Sequence, residues 1–114
     1  MLDLDLAVPK ELGGPGGAAT SSEQLFATGY SACFHSALQL VARRPKVDIS
    51  GSSVTTGVSI GPDAHGGYGL NVSMTVSLPG LGHEQAQQLV EQADRTCPYS
   101  NAVRGNVDID LQVA

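Results

Sequence analysis

Cys33 and Cys97 are the only cysteines in this chain of 114 residues. Two thiols so widely spaced make neither a disulfide framework nor a zinc knuckle. In a reducing compartment such thiols are either buried filler or redox-active. Redox work needs a thiolate, so each sulfur is judged by what its surroundings do to its charged form. Phe26, Tyr30, Cys33, Ala37 and Leu40 follow helical spacing, which puts Cys33 inside an apolar stripe. An apolar surround raises a thiol's pKa, so a reactive Cys33 needs a cationic or hydrogen-bonding partner. Gly29, one turn earlier on the same face, leaves a gap beside the sulfur that a small substrate could use. Cys97 precedes Pro98, and with Pro98 in the first position of a short helix, Cys97 becomes its N-cap, where partial positive charge favours thiolate. Free cysteine is among the most buried residue types, and composition alone favours filler for both.

Positioning these residues takes regular elements, and their periodicity is legible. Leu2, Leu4, Leu6 and Val8 alternate with Asp3, Asp5 and Ala7, the pattern of a half-buried strand. The run Gly13-Gly14-Pro15-Gly16-Gly17 lacks the Lys-Ser/Thr ending of a phosphate-binding loop and is expected to connect. Thr20 with Glu23 and Ser21 with Gln24 are overlapping capping-box spacings, so a helix starts there and reaches Ala42 or Arg43. A hairpin follows, with one strand in the segment Lys46 to Gly61, a turn at Pro62 to Gly67, and a second strand from Tyr68 to Leu78. Ala86, Leu89, Val90 and Ala93 mark a second, amphipathic helix over His83 to Thr96. After the short segment Pro98 to Arg104, alternation from Val107 to Val113 gives a last strand. No internal repeat or linker divides residues 1–114, so a single domain is expected.

Hydrophobic residues make up 41% and charged residues 15%, a composition that can bury a core. Six basic against eleven acidic residues, with no basic run longer than Arg43-Arg44, argue against a nucleic-acid partner. No apolar stretch approaches the roughly 18 residues of a membrane span, and the N-terminus has no signal-peptide core, so a cytoplasmic chain with no membrane partner is expected. A metal set of Cys33, Cys97 and His35 is disfavoured, because His35 lies two positions from Cys33 and points to another helix face.

The segments Ser22-Glu23-Gln24-Leu25-Phe26-Ala27, Gly29-Tyr30-Ser31-Ala32-Cys33-Phe34 and Cys97-Pro98-Tyr99-Ser100-Asn101-Ala102 resemble the organic hydroperoxide resistance proteins, a branch of the OsmC-like superfamily. The likeness continues through Ser36-Ala37-Leu38, Gly66-Gly67-Tyr68-Gly69-Leu70, Leu78-Pro79-Gly80 and Arg104-Gly105-Asn106, covering essentially the whole chain. It implies an α+β fold with two helices, the first long and central, packed on antiparallel sheet in an intertwined homodimer. It also implies that Cys33 is the peroxidatic cysteine, Cys97 the resolving cysteine and Glu23 an active-site carboxylate. The implied chemistry reduces organic hydroperoxides to alcohols through a Cys33 sulfenic acid and a Cys33-Cys97 disulfide. No bound cofactor is expected; a lipoyl dithiol such as dihydrolipoamide, or a lipoyl-bearing protein, reopens the disulfide. Phe26, Tyr30 and Phe34 would then favour greasy peroxides, since buried alkyl surface contributes about 25 cal/mol per Å².

Ten helical residues separate Glu23 from Cys33, about 15 Å of rise and a rotation of about 80°, so the two cannot touch on one straight helix. Glu23 is therefore expected to act through a bridging group or from a partner chain, or simply to complete the capping box. Members of the resembled family carry an arginine ahead of the first strand, in a Gly-rich segment, where it stabilises the thiolate. That segment is not among the 114 residues, and Met1 stands where the family has an aliphatic residue. The expectation is a misassigned start and a shortened N-terminal strand region. Arg43, Arg44, Arg95 and Arg104 do not match the family arginine by motif. This departure keeps an alternative in view: a catalytically weak or inactive dimeric scaffold or ligand-binding protein.

Overall fold

The computed structural model describes residues 2–114, so Met1 lies outside the described residues. Helix α1 spans Ser22–Arg43, strands β1 and β2 span Ser53–Pro62 and Tyr68–Ser77, α2 spans His83–Thr96, α3 spans Pro98–Val103 and β3 spans Ile109–Val113. The start of α1 is set by side chains: Ser21 Oγ accepts the Gln24 N–H at 3.2 Å while Gln24 Oε1 accepts the Ser21 N–H at 3.2 Å, closing a capping box. Ser21 with Gln24 is thus the spacing used, and Thr20 donates its hydroxyl to Gln24 Oε1 at 2.7 Å.

Strands β1 and β2 form an antiparallel hairpin in which Val54 faces Val76, Val58 faces Val72 and Ile60 faces Leu70. Val72, Met74 and Val76 turn one parity of β2 into the core, where they meet Tyr30, Phe34 and Leu38 of α1 and Ala86, Leu89, Val90 and Ala93 of α2. The sheet order is β1-β2-β3, and β3 runs parallel to β2, with Val72 beside Ile109 and Val76 beside Val113. The sheet is therefore mixed rather than wholly antiparallel. Helices α2 and α3 carry the chain from the end of β2 back across the sheet, and such a crossover returns a strand in the same direction. Ser31 Oγ donates to Thr56 Oγ1 at 2.6 Å, and His35 Nε2 lies 2.9 Å from Ser52 Oγ, so polar pins as well as apolar packing fasten α1 to the first strand and its approach.

Two expected strands change. The alternation from Leu2 to Val8 does not make a strand among the described residues; its sole bridge pairs Leu6 with Thr20, and Leu2, Leu4, Leu6 and Val8 are exposed, Leu2 by 81%. Alternation marks a face that can be buried, but a strand also needs a neighbouring strand to bond with, and the backbone bonds of this segment go to Thr20 and Gly16 rather than to β1 or β3. The first hairpin strand begins at Ser53 because the preceding residues are turns: Lys46 has φ 58 and Gly51 φ 77, and the Asp48 carboxylate accepts the Ser50 N–H at 2.9 Å.

Candidate active site

The two thiols lie at the meeting of three helices. Cys33 sits halfway along α1, while Cys97 is the residue at which α2 stops and α3 starts. The Cys97 N–H bonds Ala93 O at 2.8 Å, closing α2, and its own carbonyl accepts the Asn101 N–H at 3.0 Å, opening α3. Pro98 at the first helical position needs no N–H partner, which is why the chain turns here without losing a bond. The Cys97 thiol points at the Cys33 sulfur from 3.4 Å. A disulfide is about 2.05 Å long, so closing one requires about 1.4 Å of further approach. Cys97 is fully buried and Cys33 half-buried, and both are free.

Aromatic residues frame the pair. Phe26 meets Tyr30 edge to face at 6.0 Å, and Tyr99 lies 5.9 Å from Tyr30 and 6.4 Å from Phe26. The Tyr30 hydroxyl shares a hydrogen bond of 2.7 Å with Ser100 Oγ in a fully enclosed position. Burial pushes the Tyr30 phenol above its ordinary pKa, so it stays protonated and bonded. A Cβ added at Gly29 would come within 3.4 Å of the Tyr99 ring. The gap beside Cys33 expected at Gly29 is thus the seat of Tyr99. Tyr99 and Ser100 have roles that the sequence motif alone did not assign; the glycine was the available signal, since a helical Gly marks a close approach.

The other site candidates separate. Phe34, in contrast to Phe26, has no exposed surface and belongs to the core between helices and sheet. Glu23 lies in the first turn of α1 against Leu6, Ala7, Val8 and Pro9, and Gln24 rather than Glu23 completes the capping box. Its carboxylate is left free of that structural duty. Arg104 is held by Asp94 at 3.4 Å and by Asn101 Oδ1 at 2.6 Å. Among the described residues no three His, Cys, Asp or Glu side chains cluster to hold a metal ion. A groove of about 880 Å³ between Leu40, Val41, Arg44 and Arg95 contains neither sulfur.

Burial pushes the Cys33 thiol above its ordinary pKa, the Tyr99 backbone N–H pulls it down, and the bond and charge of Cys97 push it up again. Among the described residues no cation takes part in that balance. A raised acid pKa means less thiolate at neutral pH, so alkylation of Cys33 by iodoacetamide is expected to accelerate with pH and reach half its plateau above the ordinary thiol value of about 8.5. Site-resolved mass spectrometry across pH 6 to 11 measures this. A midpoint below that value contradicts the surroundings described.

The α+β fold thus brings two free thiols into contact beside a cluster of aromatic rings. The family model described as OsmC-like protein matches residues 14–112. The organic hydroperoxide resistance protein of Xanthomonas axonopodis pv. citri is 46% identical over 99% of this chain and 80% of its own length. The crystal structure of an organic hydroperoxide resistance protein from Legionella pneumophila superposes with a TM-score of 0.94 at 47% identity, over 100% of this chain and 82% of that one. A putative organic hydroperoxide resistance protein from Vibrio cholerae, with captopril bound in one of its active sites, gives a TM-score of 0.93 at 50% identity, over 99% of this chain and 77% of that one. The chain belongs to the OsmC-like family, in its organic hydroperoxide resistance branch.

Proposed function

We propose that this protein is a thiol-dependent peroxidase that reduces organic hydroperoxides to alcohols. The observation that carries this reading is the contact of two free thiols, one half-buried and reachable, the other buried behind it. The Cys33 thiolate attacks the distal peroxide oxygen; the O–O bond breaks, and the departing alkoxide takes up a proton to become the alcohol. Cys33 is left as sulfenic acid. The Cys97 sulfur then attacks the Cys33 sulfur, hydroxide leaves as water, and the Cys33-Cys97 disulfide forms. A lipoyl dithiol, free as dihydrolipoamide or carried by a protein, restores both thiols by exchange and is itself oxidised to the cyclic disulfide. No resident cofactor or metal is needed for these steps.

Phe26 and Tyr99 give the alkyl group an aromatic surface next to the sulfurs, with the Tyr30 ring packed against both. The working unit is a homodimer in the cytoplasm. Leu2, Leu4, Leu6 and Val8 support this, because all four are exposed apolar side chains that a second copy would bury. The carboxylate acting near a given Cys33 is Glu23 of a second copy, since the one on the same helix is too far along it. Neither nucleic acid nor membrane is a partner.

One feature favours a second reading, a catalytically weak scaffold or ligand-binding member of the family: burial raises the thiol pKa of Cys33 and no cation among the described residues offsets it. Consumption of cumene hydroperoxide with dihydrolipoamide, followed with mass spectrometry of both cysteines, separates the two. Turnover with a Cys33-Cys97 disulfide in the oxidised protein is expected. Two free thiols after peroxide treatment, with no sulfinic acid, would falsify the peroxidase reading and leave the scaffold.

A further inference from the structure

Tyr30 precedes Cys33 by three residues on α1, and Ser100 follows Cys97 by three residues at the start of α3. The two helices are thus joined by two rungs about one helical turn apart. One rung is the 3.4 Å sulfur contact, and the other is the 2.7 Å hydrogen bond between Tyr30 and Ser100. The first changes during a redox cycle, from thiol pair to sulfenic acid to disulfide. The second contains no redox-active atom. Both of its oxygens are enclosed, Tyr30 having no exposed surface and Ser100 only 1%.

We infer that Tyr30 and Ser100 are positioning residues that hold Cys97 within reach of Cys33, so that a Cys33 sulfenic acid is captured as disulfide before it is oxidised further. The catalytic meaning rests on the peroxidase reading above, but the effect on the disulfide itself does not. The argument is one of alternatives. Sulfur contacts are weak and directionally soft, and α3 has 6 residues, too few for a helix to be stable by itself. Its register against α1 must come from elsewhere. The Tyr30–Ser100 bond supplies it, because a buried hydroxyl that loses its partner bears its full desolvation cost and cannot recover it from water. Tyr99, between the two rungs, is packed over Gly29 by the same constraint. When α3 keeps this register, Cys97 competes well with a second peroxide for the sulfenic sulfur. That second peroxide would give sulfinic acid, which a dithiol does not restore.

The test uses the full 114-residue protein. Wild type, Tyr30→Phe, Ser100→Ala and Ser100→Thr are equilibrated against mixtures of reduced and oxidised dihydrolipoamide, and the disulfide fraction is read by mass spectrometry. No peroxide is present in this arm. Tyr30→Phe and Ser100→Ala are expected to lower the disulfide equilibrium constant about tenfold, a shift of about 30 mV for this two-electron couple. Ser100→Thr, which keeps a hydroxyl, is expected to stay near wild type. In a second arm, limiting cumene hydroperoxide is added to the reduced proteins. The sulfinic acid fraction at Cys33 should rise several-fold in the same two variants, and in Ser100→Ala, which leaves the aromatic surface intact, loss of the first thiol should proceed at the wild-type rate. Unchanged equilibrium constants in both hydroxyl deletions overturn the inference, as does a Ser100→Thr protein that behaves like Ser100→Ala. If the first arm responds and wild type does not react with peroxide, the positioning role stands and the peroxidase reading fails. Should Tyr30→Phe not fold, the serine pair alone decides.

Discussion

Cys33→Ser is expected to reduce hydroperoxide consumption to the rate of the dithiol alone, a loss of about 10³-fold or more. A serine hydroxyl is not ionised near neutral pH and forms no sulfenic acid, so both the attack and the electron store disappear together. The substitution removes little volume at a half-buried position, and unfolding by urea should shift by less than about 1 kcal/mol. Cys97→Ser provides the contrasting result. Its first peroxide reduction proceeds, because Cys33 is intact, but the sulfenic acid has no resolving thiol and accumulates as sulfinic acid during repeated additions. Peroxide consumption by Cys33→Ser at the wild-type rate would move the chemistry away from this sulfur.

Phe34→Ala carries the largest expected cost in stability, about 3–5 kcal/mol out of the about 5–15 kcal/mol typical of a domain. The ring is fully enclosed among residues of α1, α2 and β2, so its removal loses transfer free energy and leaves a void that a packed core closes only partly. Urea unfolding followed by circular dichroism measures the change. The folded fraction should retain its KM for cumene hydroperoxide, because Phe34 is enclosed in the core and offers the substrate no surface. A raised KM with stability altered by less than about 1 kcal/mol would place the ring in the path of the substrate instead.

Much of this architecture follows from short-range pattern. The Ser21 and Gln24 spacing gave the start of α1, alternation from Tyr68 gave β2, and the placement of Pro98 after Cys97 gave the junction of α2 and α3. Each depends on atoms within a few residues of one another, so period and capping chemistry suffice. The functions of Gly29, Tyr99 and Ser100 were less legible. Gly29 announced a close approach without naming the approaching group, and a packing ring and a substrate are equivalent to a missing Cβ.

What the sequence determined by itself was the set of parts: two cysteines, one inside an apolar helical stripe and one at a helix junction, with motifs that mark the family. The tertiary structure decided which parts touch. It put the sulfurs 3.4 Å apart, sent Phe34 to the core, kept Glu23 at the far end of α1, and turned β3 parallel to β2. It also left the Leu2 to Val8 alternation without a neighbouring strand. The physical reason is the same in every case. A periodic pattern reports which face of an element is apolar, whereas contact between distant residues depends on how whole elements pack, and that is settled by the summed burial and hydrogen bonding of the chain.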